Sequence, residues 1–165
     1  MNKARSIELL NHAVADELQA VHQYMYFHFH LDDQGLGPLA TMFKRVAIEE
    51  MGHVERLAER ILFLKGDVKM EVAGPVEAIQ EPEQMLAKAS AMEEQSAKDY
   101  NAAANECSAN ADSVSKQIFE QLVQDEERHF DLFDRQAENI KKFGLSYLAL
   151  QSFTQAPEPG GPAAG

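Results

Sequence analysis

The sequence predicts an all-α protein: a four-helix bundle with a long crossover between the second and third helices, and a short fifth helix near the C-terminal end. Three observations predict it. Four long stretches carry apolar residues at helical spacing, and none has a proline in its interior. The stretches are separated by glycine, proline and asparagine–aspartate clusters. At 165 residues and 45% apolar, the chain can build one sizeable core but is short for two.

The first helix is expected over about 4–34, with no proline or glycine until Gly35. Its stripe is Ile7, Leu10, Val14, Val21, Tyr24 and Leu31. Glu17 sits within that stripe, where a charge needs a compensating group. Gly35-Leu36-Gly37-Pro38 is a turn, and Pro38 suits the first turn of the second helix. That helix should reach Lys65 and stop at Gly66. Phe43, Val46, Glu50, His53, Leu57, Ile61 and Leu64 share one side of it, and Ile48, Met51, Ala58 and Leu62 form a second apolar arc. The first helix has its own second face, with Leu18, His22, Met25 and Phe29. Helices apolar on two sides need two sets of neighbours, and a homodimer would cover both second faces.

Residues 66–81 hold Gly66, Gly74-Pro75 and Glu81-Pro82 and are too long for a tight hairpin. Extended, they reach on the order of 50 Å, more than the roughly 40 Å of a helix of this size. The second and third helices can therefore run parallel. The third helix, from Pro82 to about Cys107, has the stripe Leu86, Ala89, Glu93, Ala97, Tyr100 and Ala104. Asn110 to Ser113 breaks the chain with good N-cap residues. The fourth helix runs from about Ser113 to Phe143, with Phe119, Leu122, Glu126, His129, Phe133 and Ile140 on one side, and Gly144 ends it. Ser146 to Thr154 suits a short fifth helix. One domain is expected over 1–155, and the Pro/Gly-rich residues 156–165 should be a flexible tail.

The stripes carry an internal echo. Helices two and four each hold a Glu-x-x-His step, Glu50 to His53 and Glu126 to His129, which places both side chains on one helix face. Helices one and three each hold a glutamate seven residues before a tyrosine, Glu17 to Tyr24 and Glu93 to Tyr100. A single Glu-x-x-His is usually a solvated helix face. Six such residues in register inside one bundle would be costly without cations. Two divalent ions resolve the cost: Glu50 and Glu126 can bridge both, Glu17 and Glu93 can each close one, and His53 and His129 can each ligate one. Oxygen ligands with one imidazole per metal suit iron or manganese, and two ferrous ions could supply two electrons to dioxygen or peroxide. Tyr24 and Tyr100 read as supporting or packing residues, and Cys107 as a small buried apolar group. His12, His28 and His30 read as ordinary polar contacts. Met51 points away from Glu50 and His53, either packing residue or thioether ligand to a haem at a two-fold interface.

The net charge of -12 argues against a nucleic-acid partner. One cysteine offers neither a disulfide framework nor a metal-binding cysteine cluster. With no signal-like or membrane-spanning apolar run, a reducing cytoplasm is the expected location, without a membrane partner.

The chain resembles the bacterioferritins from about Arg5 to Leu150. The matching stretches are Glu17-Leu18-Gln19-Ala20-Val21-His22-Gln23-Tyr24, Glu50-Met51-Gly52-His53 with Glu59-Arg60-Ile61-Leu62-Phe63-Leu64 after it, and Asp125-Glu126-Glu127-Arg128-His129. The resemblance implies a ferritin-like bundle with a ferroxidase centre of two irons per subunit on Glu17, Glu50, His53, Glu93, Glu126 and His129. It implies storage of ferric mineral in a hollow homo-oligomeric shell of about 24 subunits built from dimers. It further implies one haem per dimer held by Met51 of each chain, and a ferredoxin-type reductase for iron release. One departure argues against an extra inner-surface iron site: Arg45 and Glu49 stand where family members often carry a His and an Asp. A rubrerythrin-like di-iron peroxidase and a haem-binding structural bundle are the alternatives. The missing rubredoxin-type cysteines weigh against the former. A mini-ferritin, with its iron site between subunits, fits less well still.

Overall fold

A computed structural model describes residues 1–154. The expected tail at 156–165 lies outside the described residues. Five helices follow one another: α1 (Lys3–Asp33), α2 (Gly37–Phe63), α3 (Pro82–Ala109), α4 (Ser113–Phe143) and α5 (Ser146–Thr154). The predicted bundle, crossover and fifth helix are all present.

The chain packs as two antiparallel hairpins, α1 along α2 and α3 along α4. The start of α1 meets the end of α3: the Asn2 backbone N–H donates to Asn110 Oδ1 at 2.6 Å, and Arg5 forks onto Glu106 at 2.8–3.0 Å. Hence α1 and α3 are antiparallel, and α2 and α3 run the same way, as the long crossover requires.

That crossover lies along α1, held by amide side chains. Asn11 donates to the Asp67 carbonyl and accepts from the Lys69 N–H, at 3.0 and 2.8 Å. Gln19 does the same between Pro75 and Gly74, and Gln23 with both groups of Glu77. Residues 11, 19 and 23 lie on one side of α1 at helical spacing. A segment without regular structure thus satisfies backbone groups that would otherwise depend on water.

The helix ends differ from expectation in instructive ways. The left-handed residue after α2 is Lys65, at φ 68°, not Gly66. Gly66 is required for space: a Cβ there would lie 2.8 Å from the Ile7 side chain. The third helix extends two residues past Cys107, to Ala109, and Ala111 then takes φ 56°. Asp112 caps α4 by accepting from the Ser115 N–H at 3.2 Å and also receives Arg60 from α2 at 2.6 Å.

The apolar core divides into two clusters. One, toward the α1–α2 turn, contains Tyr24, Phe27, Leu31, Phe43, Phe133, Ile140 and Leu148. The other, toward the opposite end, contains Leu10, Val14, Leu57, Ile61, Tyr100, Cys107, Phe119 and Leu122. Three expected core positions, Ile7, Val21 and Ala97, are only half-buried. Ala13, Ala20 and Phe27 fill α1's part of the core, because its inner face turns slightly from the stripe drawn through Val21. Between the two clusters lies a waist of buried polar side chains.

Candidate metal centre

The waist is formed where the mid-stripe carboxylates of all four long helices meet. Glu17, Glu50, His53, Glu93, Glu126 and His129 are each at most 3% exposed. They make two overlapping sets, Glu17, Glu50, His53 and Glu126, and Glu50, Glu93, Glu126 and His129, with the ligand atoms of each set within 4.8 Å of one another. Glu50 and Glu126 belong to both.

The atom pairing follows from the Glu-x-x-His spacing. His53 Nδ1 lies 2.8 Å from Glu50 Oε2, 3.1 Å from Glu126 Oε1 and 3.3 Å from Glu17 Oε1. His129 Nδ1 lies 3.1 Å from Glu50 Oε1, 3.5 Å from Glu93 Oε2 and 3.7 Å from Glu126 Oε2. Each shared glutamate therefore offers one oxygen to either half. The two imidazoles face each other with centroids 5.9 Å apart.

The supporting contacts cross between hairpins. The Tyr24 hydroxyl on α1 donates to Glu93 on α3, and the Tyr100 hydroxyl on α3 donates to Glu17 on α1, at 2.7 Å. Asp125 on α4 faces His53 Nε2 at 3.2 Å, while Glu49 on α2 faces His129 Nε2 at 2.9 Å. Arg56 holds Asp125 at 2.9 Å and Arg128 holds Glu49 at 2.5 Å.

A fit test for metal is available in the donors themselves. Glu50 Oε1 and Oε2, His53 Nδ1, Glu93 Oε2, Glu126 Oε1 and His129 Nδ1 are all buried without a hydrogen bond. Orphaned buried polar atoms are rare and costly. Here they converge, and they are the donor types that bind divalent transition metals. The residues fit two such ions.

The electrostatics agree. Burial pushes Glu17 and Glu93 well above the usual carboxylate range, and neighbouring Glu50 adds to both. Burial would raise Glu50 as well, but the approach of His129 and His53 holds it at about 2. Burial works against protonation of His53, yet the carboxylates of Glu126, Glu17 and Glu50 push it up to about 12. His129 is raised in the same way by Glu126, Glu50 and Glu93. Protons on these groups balance the charge that two cations would balance.

All six predicted ligands are brought together. Met51 is not among them; it is 51% exposed, on the far side of α2. His28 Nδ1 meets the Ala40 carbonyl at 2.9 Å and His30 lies against the Tyr26 ring. Cys107 is buried, with its thiol pushed up to about 11 by burial and by Asp112 and Glu106. Sequence reasoning gave Asp125 and Glu49 no part in the centre. Each immediately precedes the glutamate of a Glu-x-x-His step, and that shared acidic neighbour was the available signal.

Comparison with known proteins points the same way. The model of the ferritin-like domain family matches residues 7–143. Bacterioferritin from Rhodobacter capsulatus is 38% identical over 148 residues, 89% of this chain and 91% of that protein. Bacterioferritin from Desulfovibrio desulfuricans is 36% identical over 147 residues, 89% and 82% of the two chains. The crystal structure of the Desulfovibrio protein, which describes its diiron site in different catalytic states, superposes with a TM-score of 0.90 at 34% identity, covering 98% of this chain and 94% of the other. That of the Rhodobacter protein, with a metal-free dinuclear site and a haem iron, gives 0.88 at 35% identity, covering 96% and 98%.

Proposed function

We propose, for a chain that belongs to the bacterioferritins of the ferritin-like family, that it stores and detoxifies iron by oxidising Fe(II) at this centre. The observation that carries the site is the convergence of six buried, orphaned donor atoms from Glu50, His53, Glu93, Glu126 and His129. Glu50 and Glu126, common to both sets, would hold both ions, with Glu17 and His53 serving one half and Glu93 and His129 the other. A ferrous pair held there supplies two electrons, one from each ion, to dioxygen or hydrogen peroxide, and ferric iron passes to storage.

The chain's own groups prepare the site. Tyr24 and Tyr100 fix the two terminal carboxylates. Metal displaces the protons held on the imidazoles, so loading releases acid. The flanking apolar clusters keep the waist dry, which strengthens every charge interaction in it.

The exposed face around Phe29, Ile48, Met51 and Leu62 suits a two-fold contact between copies, where Met51 of each chain would offer its thioether to hold one shared haem. The assembly is a shell of about 24 subunits, and a ferredoxin-type reductase would deliver electrons for release. No helix among the described residues is long and apolar enough to cross a membrane, and a cytoplasmic location fits this reading.

Aerobic addition of ferrous iron to the metal-free protein tests it. The parent should oxidise iron rapidly, and Glu50→Ala should not; equal rates would remove the site assignment. For the haem, Met51→Leu should abolish the haem absorbance and leave the initial oxidation rate unchanged.

A further inference from the structure

Glu49 belongs to no ligand set, yet its carboxylate touches the centre. His129 is fully buried, and its Nδ1 faces the shared glutamates. Its Nε2 has Glu49 Oε2 as acceptor at 2.9 Å; the other polar atom near it, Arg128 Nη2 at 3.4 Å, is itself a donor. The opposite half repeats the arrangement, with His53 Nε2 on Asp125 at 3.2 Å. Arg128 contacts both carboxylates, Glu49 at 2.5 Å and Asp125 at 3.4 Å. A continuous string of charge contacts thus joins the outer nitrogens of the two imidazoles.

We infer that Glu49 is a positioning residue for His129. By accepting the Nε2 proton it fixes the tautomer that leaves Nδ1 free for metal, and it locks the ring plane toward the shared carboxylates. Arg128 holds Glu49 in that pose and couples it to Asp125, which serves His53 in the same way. The Arg128–Glu49 pair is partly exposed and would contribute little stability alone. Its effect lies in orienting a buried ring.

The inference rests on the dinuclear reading, so the test must separate the two. Cobalt(II) alone, added without oxygen to the metal-free protein, reports both. The parent should take up two cobalt ions per chain and show two slowly exchanging, paramagnetically shifted N–H protons, one from each imidazole. Glu49→Ala should lose the His129 N–H resonance to solvent exchange, keep that of His53, and weaken one cobalt ion roughly 10–100-fold. Asp125→Ala should lose the His53 resonance instead. Glu49→Gln keeps an acceptor oxygen without the charge and should retain the His129 resonance; its loss there would mean that charge alone matters and overturn the positioning role. Unchanged resonances and affinities in Glu49→Ala overturn it as well. A parent that binds fewer than two cobalt ions per chain overturns the dinuclear reading instead.

Discussion

The waist of the bundle and the two apolar clusters that flank it are equally buried, for opposite reasons. Phe43, Phe133 and Leu122 are buried because water rejects them, and each removal from water stabilises the fold by about 1.5–3 kcal/mol. Glu17, Glu50, Glu93 and Glu126 are buried because the clusters on either side hold the helices together around them. The clusters supply the stability and the waist spends part of it on six polar side chains, five of which keep an atom without a hydrogen bond. The difference teaches that substitutions in the two regions should separate activity from stability.

The largest separation is expected at Glu50. Glu50→Ala removes a carboxylate common to both clusters, so ferrous oxidation should fall to the uncatalysed rate while the chain remains helical by circular dichroism. Phe43→Ala is the mirror case. It empties a site where Phe43 meets Tyr24, Phe27 and Phe133, and should cost about 3–5 kcal/mol in denaturant unfolding. Its folded fraction should still bind two metal ions. Gln23→Ala, outside both regions, removes two hydrogen bonds to Glu77, and an effect of about 1–3 kcal/mol is expected, with faster hydrogen exchange confined to the crossover.

The smallest effect is expected at an acid outside the waist. Asp16, beside Glu17, is raised to about 6 by burial and by Asp99. Its folded value exceeds its unfolded one, so its contribution is fully present below about 3.8 and is lost as pH rises through about 6. Asp16→Asn should therefore raise the melting midpoint by a few degrees at pH 7 and by nothing near pH 3.5. An equal gain at both values would assign the effect to something other than charge.

Helical periodicity explains which parts of this architecture were legible in the sequence. A residue's place on its own helix is encoded in spacing, so Glu17, Glu50, His53, Glu93, Glu126 and His129 could be selected from neighbours such as Glu49 and Glu127. Contacts between helices depend on relative register, which no single stripe encodes. Periodicity thus does not give the crossing of Tyr24 to Glu93 and Tyr100 to Glu17, or the exchange of Glu49 and Asp125 between histidines. The Asn11, Gln19 and Gln23 contacts were hidden for a related reason: amides on a helix look solvated until a strap lies over them. Val21 sits on the margin of two faces, where a few degrees of rotation decide burial.

The crossover along α1 has a consequence for how the centre is assembled. Neither hairpin can complete the buried cluster, since each provides three of its six side chains and anchors the other's. Two separate hairpins would have to find each other by diffusion. The tether of residues 64–81 turns that encounter into an intramolecular one, at an effective concentration on the order of millimolar. It supplies no ligand, and four of its N–H groups are tied to α1, those of Lys69, Gly74 and Glu77 by side chains and that of Ala73 by the Ala15 carbonyl. Evolution can therefore rewrite most of this segment, provided that Gly66 is kept, proline stays out of those four positions and the span remains long enough to keep the twin hairpins paired.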